Sequence, residues 1–267
     1  MPYFDGARGR VYYRHWSTPE PRAAIVFLHG FGEHSGLYHR YAAELGAHDI
    51  DLWALDEIGH GLTAGARGHF GSFDDLVLNA RTLTELARSQ SPGLPLVVAG
   101  HSLGSLVAVL SALANPSDYV GVVVSGAPLS PLDWLTQDAG SDDDAFDLDP
   151  QSLSSDPFYL DQLENDPLAF TSGDVAALLA EAFPPVWERL DAELSALAVP
   201  LLAVHGAADV VAPLSGVVAW SDRLSGLHLE ILADSGHDVL NEVAHRRVAD
   251  AVASFVLTQS AAAGVRA

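Results

Sequence analysis

The stretch LVVAGHSLGS, residues 96–105, decides the fold because it places a serine at a tight corner between two regular elements. Its first four residues form an apolar run that is typical of a strand buried on both faces. The chain then continues with SLVAVLSALA, which has the composition of a buried helix. Gly100 and Gly104 flank Ser102 in the small-x-Ser-x-small pattern, which leaves room for a strand to turn directly into a helix. The pattern therefore predicts a Ser102 hydroxyl that is exposed at the end of a strand.

The rest of the chain alternates short apolar runs with amphipathic stretches. The runs predicted as buried strands are AAIVFL, IDLWAL, LPLVVAG, YVGVVVSG, VPLLAVHG and LHLEILA, and RVYYRHW alternates as an early, half-exposed strand. The stretches predicted as helices are Tyr38–Ala47, Phe73–Gln90, Ser102–Ala114, Leu214–Leu224 and Asn241–Leu257. This alternation predicts an α/β fold with a mostly parallel central sheet and helices on both faces.

The alternation breaks over residues 127–198, here called the insertion. This segment contains several prolines, scattered aromatic residues and the acidic run SDDDAFDLD, and none of it has the pattern of a strand. We therefore predict a core in two parts, residues 1–126 and 199–267, with the insertion as a helical cap over one end of the sheet. A calcium loop is an alternative for the acidic run. The run lacks the glycine and the terminal glutamate of such loops, and acidic runs are most often solvated surface.

The charge and composition restrict the class of partner. The net charge is −22, and all 13 lysine or arginine residues are arginines. Since no basic cluster can neutralise phosphates, nucleic acid is an unfavourable partner, and stable docking on anionic membranes is equally disfavoured. The chain has no cysteine, which rules out disulfides and thiolate metal sites. The first residues lack the pattern of a signal peptide, so we expect a cytoplasmic protein that acts on a neutral or cationic small molecule.

A serine hydroxyl becomes an effective nucleophile when a base takes its proton and an acid orients that base. Asp209 follows the predicted strand PLLAVHG, and His237 follows the predicted strand HLEILA. Both lie beyond the carboxyl ends of parallel strands, at the same sheet edge as Ser102. Ser102, Asp209 and His237 are therefore predicted as a catalytic triad in the order serine, acid, histidine. Asp234 is the alternative acid, but it belongs to the same loop as His237.

An oxyanion formed at Ser102 needs N–H donors close to it. The N–H of Leu103 at the start of the helix is the first predicted donor. The N–H of Phe31, in the glycine-rich loop HGFGEHSG after the strand AAIVFL, is the second. The same region contains His29, His34 and His39, which raises the alternative of a metal site. Their spacing of five residues is not that of a helix face, so no metal is predicted.

Five segments resemble one known family, the monoacylglycerol lipase and lysophospholipase-like branch of the α/β-hydrolases, of the serine aminopeptidase type. They are HGFGEHSGLYHRYAAEL, LDEIGHGLTAGARGHFGSFDDLVLNA, GHSLGS, HGAADVVAP and SGHDVLNE. The resemblance covers nearly the whole chain and includes SSDPFYLDQLENDPL in the insertion. It implies an α/β-hydrolase fold, a lid over an apolar acyl tunnel, and a small polar compartment where Glu33 contacts a glycerol head group. Leu37 and Ile58 depart from the family pattern, which has basic residues there.

These observations predict a serine carboxylester hydrolase that works through an acyl-enzyme and needs no cofactor. The resemblance implies a monoacylglycerol or another ester of medium acyl length, with at most transient contact between the insertion and a membrane or micelle. The alternatives are a short-chain esterase, a thioesterase, an amidase or a perhydrolase and, from another class, a non-catalytic ligand-binding protein. Phe158, Tyr159 and Phe183 are the first candidates for substrate contact in the insertion. The further candidates are Trp134, Leu160, Phe170 and Trp187.

Overall fold

The computed structural model describes residues 2–137, 146–173 and 176–264. The strands are β1 (Tyr3–Gly6), β2 (Gly9–Trp16), β3 (Ala23–Leu28), β4 (Ile50–Leu55), β5 (Leu96–His101), β6 (Gly121–Ser125), β7 (Phe146–Asp147), β8 (Ser172–Gly173), β9 (Leu201–Gly206) and β10 (Leu227–Leu232). The α-helices are α1 (His39–Gly46), α2 (Phe73–Gln90), α3 (Leu103–Ala114), α4 (Asp133–Gln137), α5 (Pro150–Leu153), α6 (Pro157–Asn165), α7 (Ala176–Glu193), α8 (Leu214–Ser221) and α9 (His245–Gly264). Short 3₁₀ helices cover Ser35–Tyr38, Pro116–Asp118 and Leu194–Ala196.

An eight-stranded sheet forms the centre of the described structure, in the order β1–β2–β4–β3–β5–β6–β9–β10. β2 is antiparallel to β1 and to β4, and the other neighbouring strands are parallel. The predicted mostly parallel sheet is therefore confirmed. Because β3, β5, β6, β9 and β10 run in one direction, the loops that follow them lie at the same edge of the sheet.

Alternate side chains of β3 enter two hydrophobic layers, one on each face of the sheet. Val26 and Leu28 belong to the layer that α2, α3 and α8 cover, whereas Ile25 and Phe27 belong to the layer that α1 and α9 cover. All four side chains are buried. Burial of one such side chain contributes about 1.5–3 kcal/mol, so the two layers hold helices against both faces, as the alternating sequence predicts.

The two ends of the core differ from the prediction. β1 is absent from the sequence prediction because four residues are too few to show a periodic pattern, and it pairs with β2. α9 begins at His245, four residues after the predicted start, and continues beyond the predicted end. The chain before α9 stays in a loop because Asn241 and Glu242 use their side chains to bind Asp238 and Ser155. α2 has the predicted bounds, and the ends of α1, α3 and α8 differ from the prediction by no more than three residues.

The insertion connects β6 to β9, which are neighbouring strands. Its described residues form α4 to α7 and the two-residue antiparallel pair of β7 and β8, whereas the sequence predicts helical and irregular structure alone. Backbone hydrogen bonds form this pair, and two residues are too few to leave a strand pattern in the sequence. α7 contains Pro184 and Pro185, so two N–H donors are missing from its middle. The calcium alternative concerns residues 141–149, most of which lie outside the described ranges.

The longest helices are α2, α7 and α9, with 18, 18 and 20 residues. Charged side chains interrupt each of them. Across residues 2–137, 146–173 and 176–264, no helix combines the length and the apolar character that a membrane span requires.

Candidate active site

Ser102 stands at the corner between β5 and α3, in a backbone conformation that is uncommon for a residue with a side chain. Its φ is 50° and its ψ is −118°. The turn depends on two glycines. A Cβ on Gly100 would collide with the carbonyl oxygen of Gly104, and a Cβ on Gly104 would collide with that of Leu28. The position of Ser102 at the end of a strand follows from this close approach of α3 to the sheet.

Ser105 holds the corner from inside the core. Its Oγ lies 2.9 Å from the carbonyl oxygen of Gly100 and 3.0 Å from that of Ser125. The N–H of Ser102 donates to the same Ser125 carbonyl at 2.9 Å. These bonds join β5, β6 and α3 below the corner. Ser102 lines a cavity, and among the described residues no hydrogen bond joins its Oγ to a partner.

Asp209 and His237 meet at the same edge of the sheet. Nδ1 of His237 lies 2.8 Å from Oδ2 of Asp209, and both side chains are buried. Oδ1 of Asp209 accepts the N–H groups of Val211 at 2.9 Å and Ala212 at 2.8 Å. Burial opposes ionisation of Asp209, but the attraction of His237 and the hydrogen bonds from His205 and His237 outweigh it. The pKa of Asp209 therefore lies well below its usual range, and the charged carboxylate keeps a proton on Nδ1 of His237.

Ser102 and His237 line one cavity at the carboxyl edge of the sheet. Gly30 and Phe31, in the loop after β3, form part of its wall, and Leu103 lies beside Ser102 at the start of α3. Apolar side chains of the insertion and of the Asp209 loop supply most of the remaining wall. They are Leu132, Trp134, Leu135, Leu148, Leu153, Leu179, Phe183 and Val211. The cavity therefore brings a hydroxyl and an imidazole to a largely apolar wall, which suits an apolar ligand with one reactive polar group.

A family model described as serine aminopeptidase, S33, matches residues 19–244 of the chain. The chain belongs to this family. Among its relatives, the monoacylglycerol lipase of Mycolicibacterium smegmatis is 31% identical over 270 residues, which cover 96% of each chain. The S33 family and this relative make the chain a carboxylic ester hydrolase, as the sequence predicts.

Solved structures agree with the fold of this S33 hydrolase. The crystal structure of Paleococcus ferrophilus monoacylglycerol lipase has a TM-score of 0.78 and 24% identity, and the match covers 93% of this chain and 99% of that one. A soluble variant of the monoglyceride lipase of Saccharomyces cerevisiae, in complex with a substrate analog, has a TM-score of 0.79 and 19% identity, covering 96% and 94%. The predicted α/β-hydrolase fold is therefore confirmed.

The aromatic residues of the insertion divide between the cavity and other contacts. Trp134 and Phe183 line the cavity. Phe158 is 48% exposed, and the guanidinium of Arg40 lies 4.7 Å from the centre of its ring. Tyr159 is buried and donates its hydroxyl to Glu33 at 2.6 Å, outside the lining of the cavity. The other aromatic and apolar candidates, which also lie outside the lining, are Leu160, Phe170 and Trp187.

The three histidines after β3 have separate partners. Nε2 of His29 accepts the N–H of Glu57 at 2.8 Å, whereas Nε2 of His34 lies 3.1 Å from Asp166 of the insertion. His39 begins α1, and its ring lies near that of Phe158. The structure does not bring the three imidazoles together as a metal site would require.

His205 is a residue of the site that the sequence analysis misses. Its Nε2 lies 2.7 Å from the carbonyl oxygen of Ala212 and 3.1 Å from Oδ2 of Asp209, so this nitrogen carries the proton and donates. The sequence feature that could have indicated this role is the position of His205 at the end of β9, four residues before Asp209. A histidine at a strand end has many potential partners, so this position alone does not predict the contact. Asp234 is exposed, and no hydrogen bond joins it to His237 in the described residues.

Replacing Gly100 by alanine should destabilise the fold strongly, because the new Cβ would overlap the backbone of Gly104 at the start of α3. We expect the free energy of unfolding to fall by about 3 kcal/mol or more, as measured by urea denaturation. Gly264→Ala is the control, since nothing lies within 4 Å of its Cβ position, and it should change the free energy by less than about 1 kcal/mol. Equal unfolding midpoints for the two variants would show that the close approach of α3 to β5 does not require a glycine at position 100.

Proposed function

We propose that this S33 hydrolase cleaves medium-chain acyl esters, monoacylglycerols among them, through an acyl-enzyme on Ser102. The observation that carries the proposal is the meeting of an outward-facing serine and a carboxylate-bound histidine at one apolar cavity. The monoacylglycerol lipase of M. smegmatis and the human monoglyceride lipase, which is 28% identical over 226 residues, support the choice of substrate. The reaction consumes water and needs no cofactor.

In the first half-reaction, Ser102 Oγ attacks the ester carbonyl carbon while Nε2 of His237 takes the hydroxyl proton. The bond to the alcohol oxygen then breaks, and His237 gives that proton to the leaving oxygen. In the second half-reaction, water attacks the acyl-enzyme, His237 takes a proton from it, and Ser102 regains a proton as the carboxylic acid leaves. Asp209 stays ionised throughout and orients the imidazole through Nδ1, which leaves Nε2 as the base.

The N–H groups of Leu103 and Phe31 are proposed to hold the oxyanion. Leu103 is the first residue of α3, where N–H groups have no acceptor within the helix and the helix dipole favours negative charge. Phe31 follows Gly30 in the wall of the same cavity. One such donor typically contributes about two to three orders of magnitude in rate.

The acyl chain is proposed to lie against the apolar wall that the insertion supplies. Phe183 forms part of this wall, and its ring meets that of Phe73 edge-on, with 5.5 Å between the centroids. Phe73 in turn lines a second, outer groove together with Leu178, Ala182 and Val186 of α7. The contact between Phe183 and Phe73 therefore separates the cavity from the outer groove and limits the acyl length. Phe158 and Tyr159 have no place in this acyl site because they lie outside the lining.

The cellular location and the contact with lipid stay predictions. The net charge of −22 opposes lasting attachment to an anionic membrane. A cytoplasmic protein that touches a micelle or membrane through the insertion during substrate uptake fits this charge, and nucleic acid remains an unfavourable partner.

Ser102→Ala should abolish both ester hydrolysis and labelling by a fluorophosphonate probe, because the acyl-enzyme cannot form. The expected fall in kcat is up to about a millionfold, measured with p-nitrophenyl esters and monoacylglycerols. Ser89→Ala, which changes an exposed serine at the end of α2, should label like the parent protein. Parent-level labelling of Ser102→Ala would assign the nucleophile to another residue, and a parent protein that takes no label would contradict the proposed function.

Phe183→Ala should extend the accepted acyl chain, because the cavity would then open into the groove behind Phe73. Two further methylene groups buried there, at about 0.8 kcal/mol each, correspond to a gain of about tenfold in kcat/KM for long over short esters. The measurement is a series of p-nitrophenyl esters from acetate to palmitate. Phe255→Ala removes another buried ring, from the opposite hydrophobic layer, and should keep the parent's chain-length profile. An unchanged profile in Phe183→Ala would show that Phe183 does not limit the chain.

His205→Leu should lower kcat because Asp209 loses one of its two histidine donors. A hydrogen bond to a charged group contributes about 1.5–3 kcal/mol, so the expected fall is about tenfold to a hundredfold. KM should change little, since His205 lies outside the cavity lining. His205→Gln, whose amide can donate in the same direction, should recover most of the activity. Equal activity of both variants and the parent would remove His205 from the site.

A further inference from the structure

Glu33 and Asp238 form a buried acidic pair at the cavity, and Glu33 belongs to the lining of the cavity. Glu33 is 5% exposed and Asp238 is 1% exposed. One carboxylate oxygen of each lies within 4.8 Å of the other and of a ring nitrogen of His101. Glu33 comes from the loop that carries Phe31, and Asp238 directly follows His237. The pair therefore joins the two loops that the proposed reaction uses.

The hydrogen bonds of Glu33 occupy three of its four acceptor positions. Oε2 accepts the N–H of Gly30 at 2.8 Å and the hydroxyl of Tyr38 at 2.6 Å. Oε1 accepts the hydroxyl of Tyr159 at 2.6 Å. If the fourth position carries a proton, the carboxyl group can donate to Asp238 while it keeps all three bonds. The tyrosine of α6 thereby ties the insertion to the same carboxyl group.

Asp238 is held in a setting that suits a charged carboxylate. Its Oδ1 faces the N–H groups of Leu240 at 3.2 Å and Asn241 at 3.3 Å, and its Oδ2 accepts the side-chain amide of Asn241 at 2.9 Å. Its own N–H donates to the carbonyl of Leu153 in the insertion at 2.7 Å. Movement of Asp238 would therefore disturb both the insertion and the neighbouring His237.

The electrostatics place one proton on this pair at neutral pH. Burial, and then the charge of Asp238, raise the pKa of Glu33 to about 8, although the hydroxyls of Tyr159 and Tyr38 oppose the shift. Burial opposes ionisation of Asp238, but His101 and the hydrogen bonds it receives outweigh this and lower its pKa. Burial lowers the pKa of His101, although the charges of Asp238 and Asp209 oppose this shift. Two adjacent buried carboxyl groups cannot both ionise without a large cost.

We propose that Glu33 is a positioning residue whose neutral carboxyl group donates to Asp238 and so fixes the Phe31 loop and the His237 loop relative to each other. This role rests on the proposed function, since it acts through Gly30 on the oxyanion donor and through Asp238 on the base. It differs from the head-group contact that the family resemblance implies. Glu33 lines the cavity, but each of its oxygens already accepts a tyrosine hydroxyl, from Tyr38 at Oε2 and from Tyr159 at Oε1, and a glycerol hydroxyl would compete with these bonds.

Both kcat and the stability that the Glu33 proton contributes should fall as pH rises toward and through about 8. As pH rises through about 8, Glu33 loses its proton, the donor to Asp238 disappears, and two negative charges face each other in a buried site. The kcat should therefore decline on the alkaline side. The stability contribution of the Glu33 proton is full below about pH 4.5, the pKa of an unperturbed glutamate, and is lost as pH rises toward about 8.

The test compares Glu33→Ala and Glu33→Gln with the parent protein, using a p-nitrophenyl ester and a monoacylglycerol of the same acyl length. Glu33→Ala should lose at least about tenfold in kcat toward both esters, with little change in KM. Glu33→Gln keeps a neutral group that both accepts and donates, so it should recover most of kcat and lose the decline near pH 8. Glu57→Gln is the matched control, because Glu57 is a second buried carboxyl group whose pKa burial raises, and it should keep the decline.

Two results would overturn the positioning role. One is a defect in Glu33→Ala that is confined to KM for the monoacylglycerol, since that would assign Glu33 to the head group. The other is an alkaline decline in Glu33→Gln equal to that of the parent. Urea denaturation tests the proton without measuring catalysis. The free energy of unfolding of the parent, relative to that of Glu33→Gln, should fall between about pH 5 and pH 8. If the difference in stability between the parent and Glu33→Gln does not change with pH, Glu33 does not hold a proton for Asp238, even if the enzyme is active. A parent protein that is inactive and takes no fluorophosphonate label would instead contradict the proposed function.

Discussion

The close approach of α3 to the sheet is the constraint on which the rest of the site depends. The carbonyl groups of Leu28 and Gly104 fill the space that side chains at positions 104 and 100 would need. The helix therefore starts directly against the ends of β3 and β5, and Ser102 is held at a φ of 50°. Such a conformation costs about 1–3 kcal/mol and persists because the packed core and the bonds of Ser105 leave no alternative.

Two of the buried acids near this corner, Asp209 and Glu33, differ in protonation state. The surroundings of each carboxyl group determine whether it is charged or neutral. Asp209 is charged because two imidazoles and two backbone N–H groups face it. Glu33 is neutral because burial and then the charge of Asp238 raise its pKa, and this outweighs the hydrogen bonds from two tyrosine hydroxyls. Glu33, Asp209 and Asp238 therefore lie near one cavity with two charges among them and not three.

The residues of the core could be predicted from the sequence because local patterns specify them. Six apolar runs became the parallel strands, and Ser102, Asp209 and His237 each follow one of these runs, which placed them at one sheet edge. The contacts between the insertion and the loops of the site could not be predicted. Tyr159 bonds to a residue 126 positions away, and nothing in the sequence near either one records that contact. The cavity wall in the insertion was equally hidden, since an aromatic residue has the same pattern whether it lines a cavity, as Phe183 does, or covers a surface arginine, as Phe158 does.

The insertion leaves the sheet after Ser125 and returns at Leu201, and the two strands it connects are neighbours. A parallel pair needs a crossover connection whatever that connection contains. The segment that supplies most of the apolar wall therefore occupies a place where the sheet tolerates changes of length and sequence. The crossover can therefore vary along its apolar wall without a change in the reacting groups, provided that it keeps the contacts of Tyr159 with Glu33 and of Leu153 with Asp238.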